Sequence, residues 1–415
     1  MISSRLTMRM LALIALFLAL WGVTVHGQED GEANIRIASY ISWSPDGQVL
    51  AMGGRIESQA MIWLHDRITR MTQSISIQGS SVSALNWSPD GNYLAVLLSL
   101  PGVSNRLAIL TFDRNTRQFS ETIIMSEEFV GYTSNLLEWS PDSRYVALYW
   151  GVHISVFRAH DATLQYRLYS EEETGTASLV GIAWSGDSRF IYSGYINWMA
   201  IPILVWEVET QTIYRKIETP YINLLSLSIN PAHSHLAIGD SLELAILDLA
   251  DNTIKQTFKF GEYRLVTSLL WSPLGDFVLG IEPTGTIYIW DLTADNVNVI
   301  TFENFTIRDA TFNSFGGQLA INLFPKALPS GTSASTTVPN RNDLLNVHII
   351  VPIATLERFV EIAASCNAPA NLTQLNSDTT AQSLLTSLDA LPDGAIPLGC
   401  KADLRAIAEA IRATE

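Results

Sequence analysis

Cysteine is nearly absent from this chain: two residues, Cys366 and Cys400, among 415. So small a number excludes a zinc site built on cysteine pairs and a scaffold held mainly by disulfides. An even pair in an exported chain reads as one disulfide, and closing a loop of that length contributes roughly 3 to 4 kcal/mol. Basic residues are also scarce, 25 Lys and Arg against 41 Asp and Glu, for a formal net charge of −16. Such an excess of negative charge opposes nucleic-acid binding and attraction to anionic membranes. Of the seven histidines, only His233 and His235 lie close together, at a turn. No Gly-rich phosphate loop and no Gly-x-Ser-x-Gly elbow occurs, so catalysis has little support and no metal or cofactor is expected. Acidic pairs such as Glu127-Glu128 are adjacent in a loop, and adjacency alone does not establish a perturbed pKa.

Long apolar runs are equally rare. Met10 to Val23, preceded by Arg5 and Arg9 and followed by Val25-His26-Gly27, has the layout of a secretory signal peptide over residues 1–27. The run falls short of the ~20 residues that span a bilayer, and no second candidate follows it. Export to an extracytoplasmic space, with no membrane insertion after cleavage, is the expectation.

What the chain does contain is a repeat. Trp43-Ser44-Pro45-Asp46-Gly47 returns as Trp87-Ser88-Pro89-Asp90-Gly91, Trp139-Ser140-Pro141-Asp142-Ser143, Trp184-Ser185-Gly186-Asp187-Ser188 and Trp271-Ser272-Pro273-Leu274-Gly275. Weaker copies, Ile229-Asn230-Pro231 and Phe312-Asn313-Ser314, complete seven units spaced 41 to 52 residues apart. Each copy is a turn between two apolar runs, with the residue two before the anchor and the residue seven after it always apolar. A second apolar strand and a mixed one follow in each unit, as in Ile213 to Ile217. Four short strands at this period predict a blade of a β-propeller.

The Trp-Ser-Pro-Asp-Gly turn, together with Trp290-Asp291 at the end of a third strand, resembles the WD40 repeat; TolB-like propellers share the turn. The resemblance covers roughly residues 34 to 363. It implies an all-β, seven-bladed propeller of four-stranded antiparallel blades over residues 28–363. The chain has no Gly-His dipeptide, so the side-chain staple of many family blades is not expected.

Residues 364–415 change period from two to 3.6. Ala381, Leu384, Leu385, Leu388 and Leu391 share one helical face, Pro392-Asp393-Gly394 stops that helix, and Leu404, Ile407, Ala408 and Ile411 share another. A small α-helical tail clipped by the disulfide is expected, packed near the seam between the first and last blades. The Pro, Ser and Thr-rich stretch Pro325 to Asn342 reads as a long loop within the seventh blade.

The anchor tryptophans are expected to be core. Recognition is expected instead on the loops that join consecutive blades and those between second and third strands, which share one face in the resembled fold. Their aromatics, Phe129, Tyr132, Trp150, Tyr195, Trp198, Tyr221 and Tyr263, lie among carboxylates and suit a protein partner. The expected function is a non-enzymatic protein-interaction scaffold. A glycan-binding module, resting on Trp150, Tyr195 and Trp198, and a propeller hydrolase or lyase are the alternatives. Asn304-Phe305-Thr306 and Asn371-Leu372-Thr373 match the glycosylation sequon; Asn86-Trp87-Ser88 matches it inside a repeat strand.

Overall fold

A computed structural model describes residues 36–130, 133–150, 153–175, 177–196, 201–221, 224–326, 347–350, 356–373, 380–392 and 394–412. The expected signal segment 1–27, most of the expected loop 325–342, Tyr132 and Trp198 lie outside the described residues. The described chain is mostly β, arranged as seven antiparallel sheets. Their first strands are Arg36–Trp43, Ser81–Trp87, Thr133–Trp139, Ser178–Trp184, Ser226–Ile229, Ser268–Trp271 and Phe305–Phe312. Each sheet is a meander in sequence order, the second carrying in addition the short strand Phe129–Val130 paired back on its third strand.

The repeated turn has one geometry throughout. Four residues after the anchor the backbone is left-handed in every copy: φ is 65° at Gly47, 67° at Gly91, 60° at Ser143 and at Ser188, 53° at His233, 76° at Gly275 and 72° at Gly316. Glycine is the low-cost residue there. Two of the exceptions are compensated, because the hydroxyls of Ser143 and Ser188 accept from the backbone N–H groups of Asp90 and Asp142 in the preceding sheet, both at 3.1 Å. The turn serine explains its own recurrence. Ser44 Oγ donates to Asp46 at 2.6 Å and accepts from the Val49 N–H at 2.9 Å, and Ser88, Ser140 and Ser185 repeat both bonds. In the weaker copies Asn230 and Asn313 accept from His235 and Gln318 instead.

The second strands are buried on both faces, as Leu94 to Leu98 show by having no exposed surface. Their alternate residues enter different clusters: Leu94, Val96 and Leu98 pack against sheet one, Ala95 and Leu97 against sheet three. The same sandwiching continues from sheet three to sheet seven. Sheet seven then meets sheet one, where Ala320 joins Ala38, Ile41, Trp43, Leu50, Met52 and Trp63.

Anchor indoles link neighbours by hydrogen bonds as well. Trp87 donates to the Ser42 carbonyl at 3.1 Å, Trp139 to Asn86 at 2.9 Å, Trp184 to Glu138 at 3.3 Å and Trp271 to Ser228 at 3.1 Å. Each acceptor is the residue just before the anchor position of the preceding sheet. Trp43, whose preceding sheet is the seventh, has no partner for its indole N–H among the described residues.

Sheet seven departs from expectation. It contains three strands among the described residues, Phe305–Phe312, Leu319–Pro325 and Val347–Ile350, and the chain then forms a helix, Leu356–Ser365, where the end of a blade was expected. Phe359, Ile362 and Ala363 line one face of that helix and join the tail core. The helices Ala381–Asp389 and Leu398–Arg412 form as the 3.6 period predicts, with Thr380 closing a capping box. Cys366 and Cys400 are disulfide-bonded, with a Cα separation of 6.4 Å. That bond fits an oxidising compartment. No helix among the described residues is long and apolar enough to cross a membrane.

The terminal helix docks on the turns of sheets one and seven. Gly399 leaves no room for a Cβ against the Asp46 carbonyl and the Phe315 ring. Fully buried Asp403 pairs with Arg67 at 2.5 Å, accepts from Asn313 Nδ2 at 2.5 Å and accepts from the Gly317 N–H at 3.3 Å. Burial raises its pKa, and Arg67 leads the contacts that oppose the rise.

Candidate functional site

In an antiparallel meander, the connections between second and third strands lie at the same end as those between sheets. The terminal helix covers turns at the opposite end, so the loop end is where recognition was expected. Of its seven candidate aromatics, the five that are described divide by depth. Phe129, Tyr195 and Tyr221 are buried, where exposed side chains were expected. Phe129 packs on Trp150 and Phe157 with ring centroids 4.6 and 5.9 Å apart. Burial pushes the Tyr195 hydroxyl up to about 12. Tyr221 donates to Glu243 at 2.7 Å, and burial again raises its pKa. Trp150 is half-buried under Arg167, whose guanidinium lies 5.1 Å from the ring centre, and it donates to the Val130 carbonyl at 2.9 Å. Tyr263 alone among the described candidates is fully exposed, at 65%.

Two ordered apolar patches were anticipated only in Tyr263. In the first, Val103 and Val130 are 60% and 65% exposed, and the short strand Phe129–Val130 pairs with Ser104 and Asn105. Arg106 and Glu128 form an ion pair at 2.6 Å beside it. In the second, Leu242, Tyr263 and Leu265 are exposed, on loops tied together by Phe260 N–H to Leu242 O at 2.9 Å and Arg264 N–H to Ser241 O at 2.8 Å. Valine and leucine in loops carry no motif, so only their exposure identifies them.

A cavity of about 470 Å³ is lined by the first strands of all seven sheets. Its wall carries Ser42, Asn86, Ser228 and Thr311, two carboxylates, Glu138 and Asp309, and His233, but neither Lys nor Arg. Asp309 is structural: Oδ2 accepts from the Ile41 N–H at 2.8 Å across the junction of sheets seven and one, and Oδ1 accepts from Ala310 at 2.9 Å. Asn322 Nδ2 adds a bond to the Ala38 carbonyl at 3.0 Å at the same junction. Burial pushes both Asp309 and Glu138 up to about 7. The surface Glu138 retains opens into the cavity. Its carboxylate has no hydrogen-bond or ion-pair partner among the described residues. His233, expected as a solvated turn residue, is partly buried with Nδ1 at 3.1 Å from the Trp184 carbonyl. His235 sits in a strand with Nε2 3.7 Å from Asp248. The described residues contain no group of three metal-ligating side chains. No protein-family model matches this chain.

Proposed function

We propose that the chain is an exported, seven-bladed WD40-like β-propeller acting as a non-enzymatic protein-interaction scaffold through the loop end of its blades. Ring closure is supported by the packing of every sheet on the next, the return of sheet seven to sheet one, and a cavity shared by all seven first strands. The disulfide and the signal-like leader support export.

The observation that carries the scaffold reading is the pair of ordered, exposed apolar patches around Val130 and Tyr263, on the end the helical tail leaves open. Exposed apolar side chains on loops pinned by backbone hydrogen bonds bury area at small entropic cost when a partner binds. A glycan site has less support, because Tyr195 is core and Trp150 is covered by Phe129 and Arg167.

The test places a photocrosslinking residue at Val130, at Tyr263 and at Tyr214, which is exposed on the outer strand Thr212–Ile217 of sheet four. Each variant is exposed to the native secretome. A protein crosslinked from positions 130 and 263 but not 214 is the expected result. Equal labelling from all three, or polysaccharide retained in place of protein, would overturn the reading.

A further inference from the structure

Glu138 stands apart from the other acids of the molecule that resist ionisation through burial. Asp403 has Arg67, Asn313 and the Gly317 amide, and Asp309 has two backbone amides. Glu138 occupies the position just before the anchor, where the other sheets carry Ser42, Asn86, Ala183, Ser228, Leu270 and Thr311. Two of these form a polar belt, with Ser42 Oγ donating to Asn86 Oδ1 at 3.0 Å and Asn86 Nδ2 reaching the Leu137 carbonyl at 3.4 Å. At the third position the belt presents an acid with no partner among the described residues.

Withdrawal from bulk water destabilises the charged form of a carboxyl unless a cation accompanies it. Among the described residues the cavity wall supplies no Lys or Arg, while hydroxyls and amide oxygens around it are hydrogen-bond acceptors. The whole chain is strongly acidic, so its field favours entry of positive charge. A divalent metal ion wants more carboxylate and imidazole ligands than the wall brings together, since no cluster of three occurs among the described residues. An ammonium needs one carboxylate and a few acceptors, and a volume of about 470 Å³ accommodates a small organic molecule.

We infer that the cavity is a binding site for a small organic amine, with the Glu138 carboxylate as counter-charge to its ammonium group. The recognising contacts are the charge-assisted bond to Glu138 and hydrogen bonds to the neighbouring polar belt. No covalent step is involved.

The test uses the full mature chain at pH 8 and physiological salt. Calorimetric titration with 1,4-diaminobutane is compared with 1,4-butanediol, which has the same length and no charge. The expected result is one equivalent of diamine bound and no measurable diol. Glu138→Gln should weaken the diamine by at least about tenfold, while Glu207→Gln, outside the cavity lining, should not. Binding of several equivalents retained by Glu138→Gln would mark adsorption to the acidic surface and overturn the inference, as would equal binding of diol or no binding of either. If Glu138→Gln does not fold, Glu138→Asp takes its place, and the diamine-to-diol comparison on the unaltered protein already decides against the site if it shows no preference.

Discussion

The guanidinium of Arg67 lies 2.5 Å from the carboxylate of Asp403, joining the first sheet to the terminal helix across 336 residues of sequence. Asn313 and Gly317 bring the seventh sheet to the same carboxylate. Removing one partner of a buried ion pair leaves the other uncompensated, so Asp403→Ala should cost about 3 to 5 kcal/mol in urea unfolding. Replacing both, as Arg67→Met with Asp403→Leu, should recover only the part due to the uncompensated guanidinium, because the Asn313 and Gly317 donors stay unpaired. A single variant within about 1 kcal/mol of the parent, on the scale of an exposed pair, would show that the tail does not pin the junction.

The anchor tryptophans offer an internal control. Trp139 and Trp43 are equally buried at 5%, but among the described residues only Trp139 has a partner for its indole N–H. Trp139→Phe strands the Asn86 carbonyl and should cost more than Trp43→Phe by about 1 kcal/mol or more. Melting temperatures of the two variants check this. Equal losses would reduce the indole bonds to incidental contacts.

How far the sequence could be read follows from these same residues. The anchors, the left-handed turn position and the doubly buried second strands recur at a fixed period, and each recurrence has a local physical cause. The helix Leu356–Ser365 was missed because Phe359, Ile362 and Ala363 follow directly on a β repeat, and a single spacing of i, i+3, i+4 is short. Asp403 carried no signal beside the apolar face of Leu404, Ile407, Ala408 and Ile411; only the docking against Gly317 and Arg67 buries it. Tyr221 lies on a connection as expected, but Tyr195 sits in the strand Phe190–Ile196 and Phe129 in the short strand Phe129–Val130, and a position in the repeat does not specify depth. Glu138 lacked a signal because the position before the anchor varies freely from Ser to Leu among the repeats.

The raised acid in the cavity makes stability depend on pH in a defined direction. With its pKa moved from 4.5 to about 7, Glu138 binds its proton more tightly when folded. Its contribution is therefore fully present below about pH 4.5 and is lost as pH rises through 7. Glu138→Gln removes that loss, so its melting temperature should gain on the parent between pH 5 and pH 8. A difference independent of pH would place the carboxyl in contact with bulk solvent.

The tail should be clipped measurably by its disulfide. Cys366 and Cys400 are 34 residues apart, and replacing both with serine should destabilise the tail by roughly 3 to 4 kcal/mol in the chain-entropy model. Hydrogen exchange should rise first over 356–412 and then at the turns around Asp46 and Asn313, which the terminal helix touches. Exchange confined to the tail would mean that it rides on the sheets without holding them.

Closure of seven repeats into a ring is tested most directly where the first and last meet. A Cβ added to Gly47 would lie 3.0 Å from the Ser314 hydroxyl oxygen, a separation within reach of a disulfide. Serine and histidine already occupy the equivalent left-handed position in three other repeats, at Ser143, Ser188 and His233, so cysteine is tolerable there. In the double variant Gly47→Cys and Ser314→Cys, mild oxidation followed by peptide mapping should yield a crosslinked peptide joining positions 47 and 314 in the monomer. Two thiols that stay free in the folded protein, or crosslinks formed only between molecules, would contradict the ring.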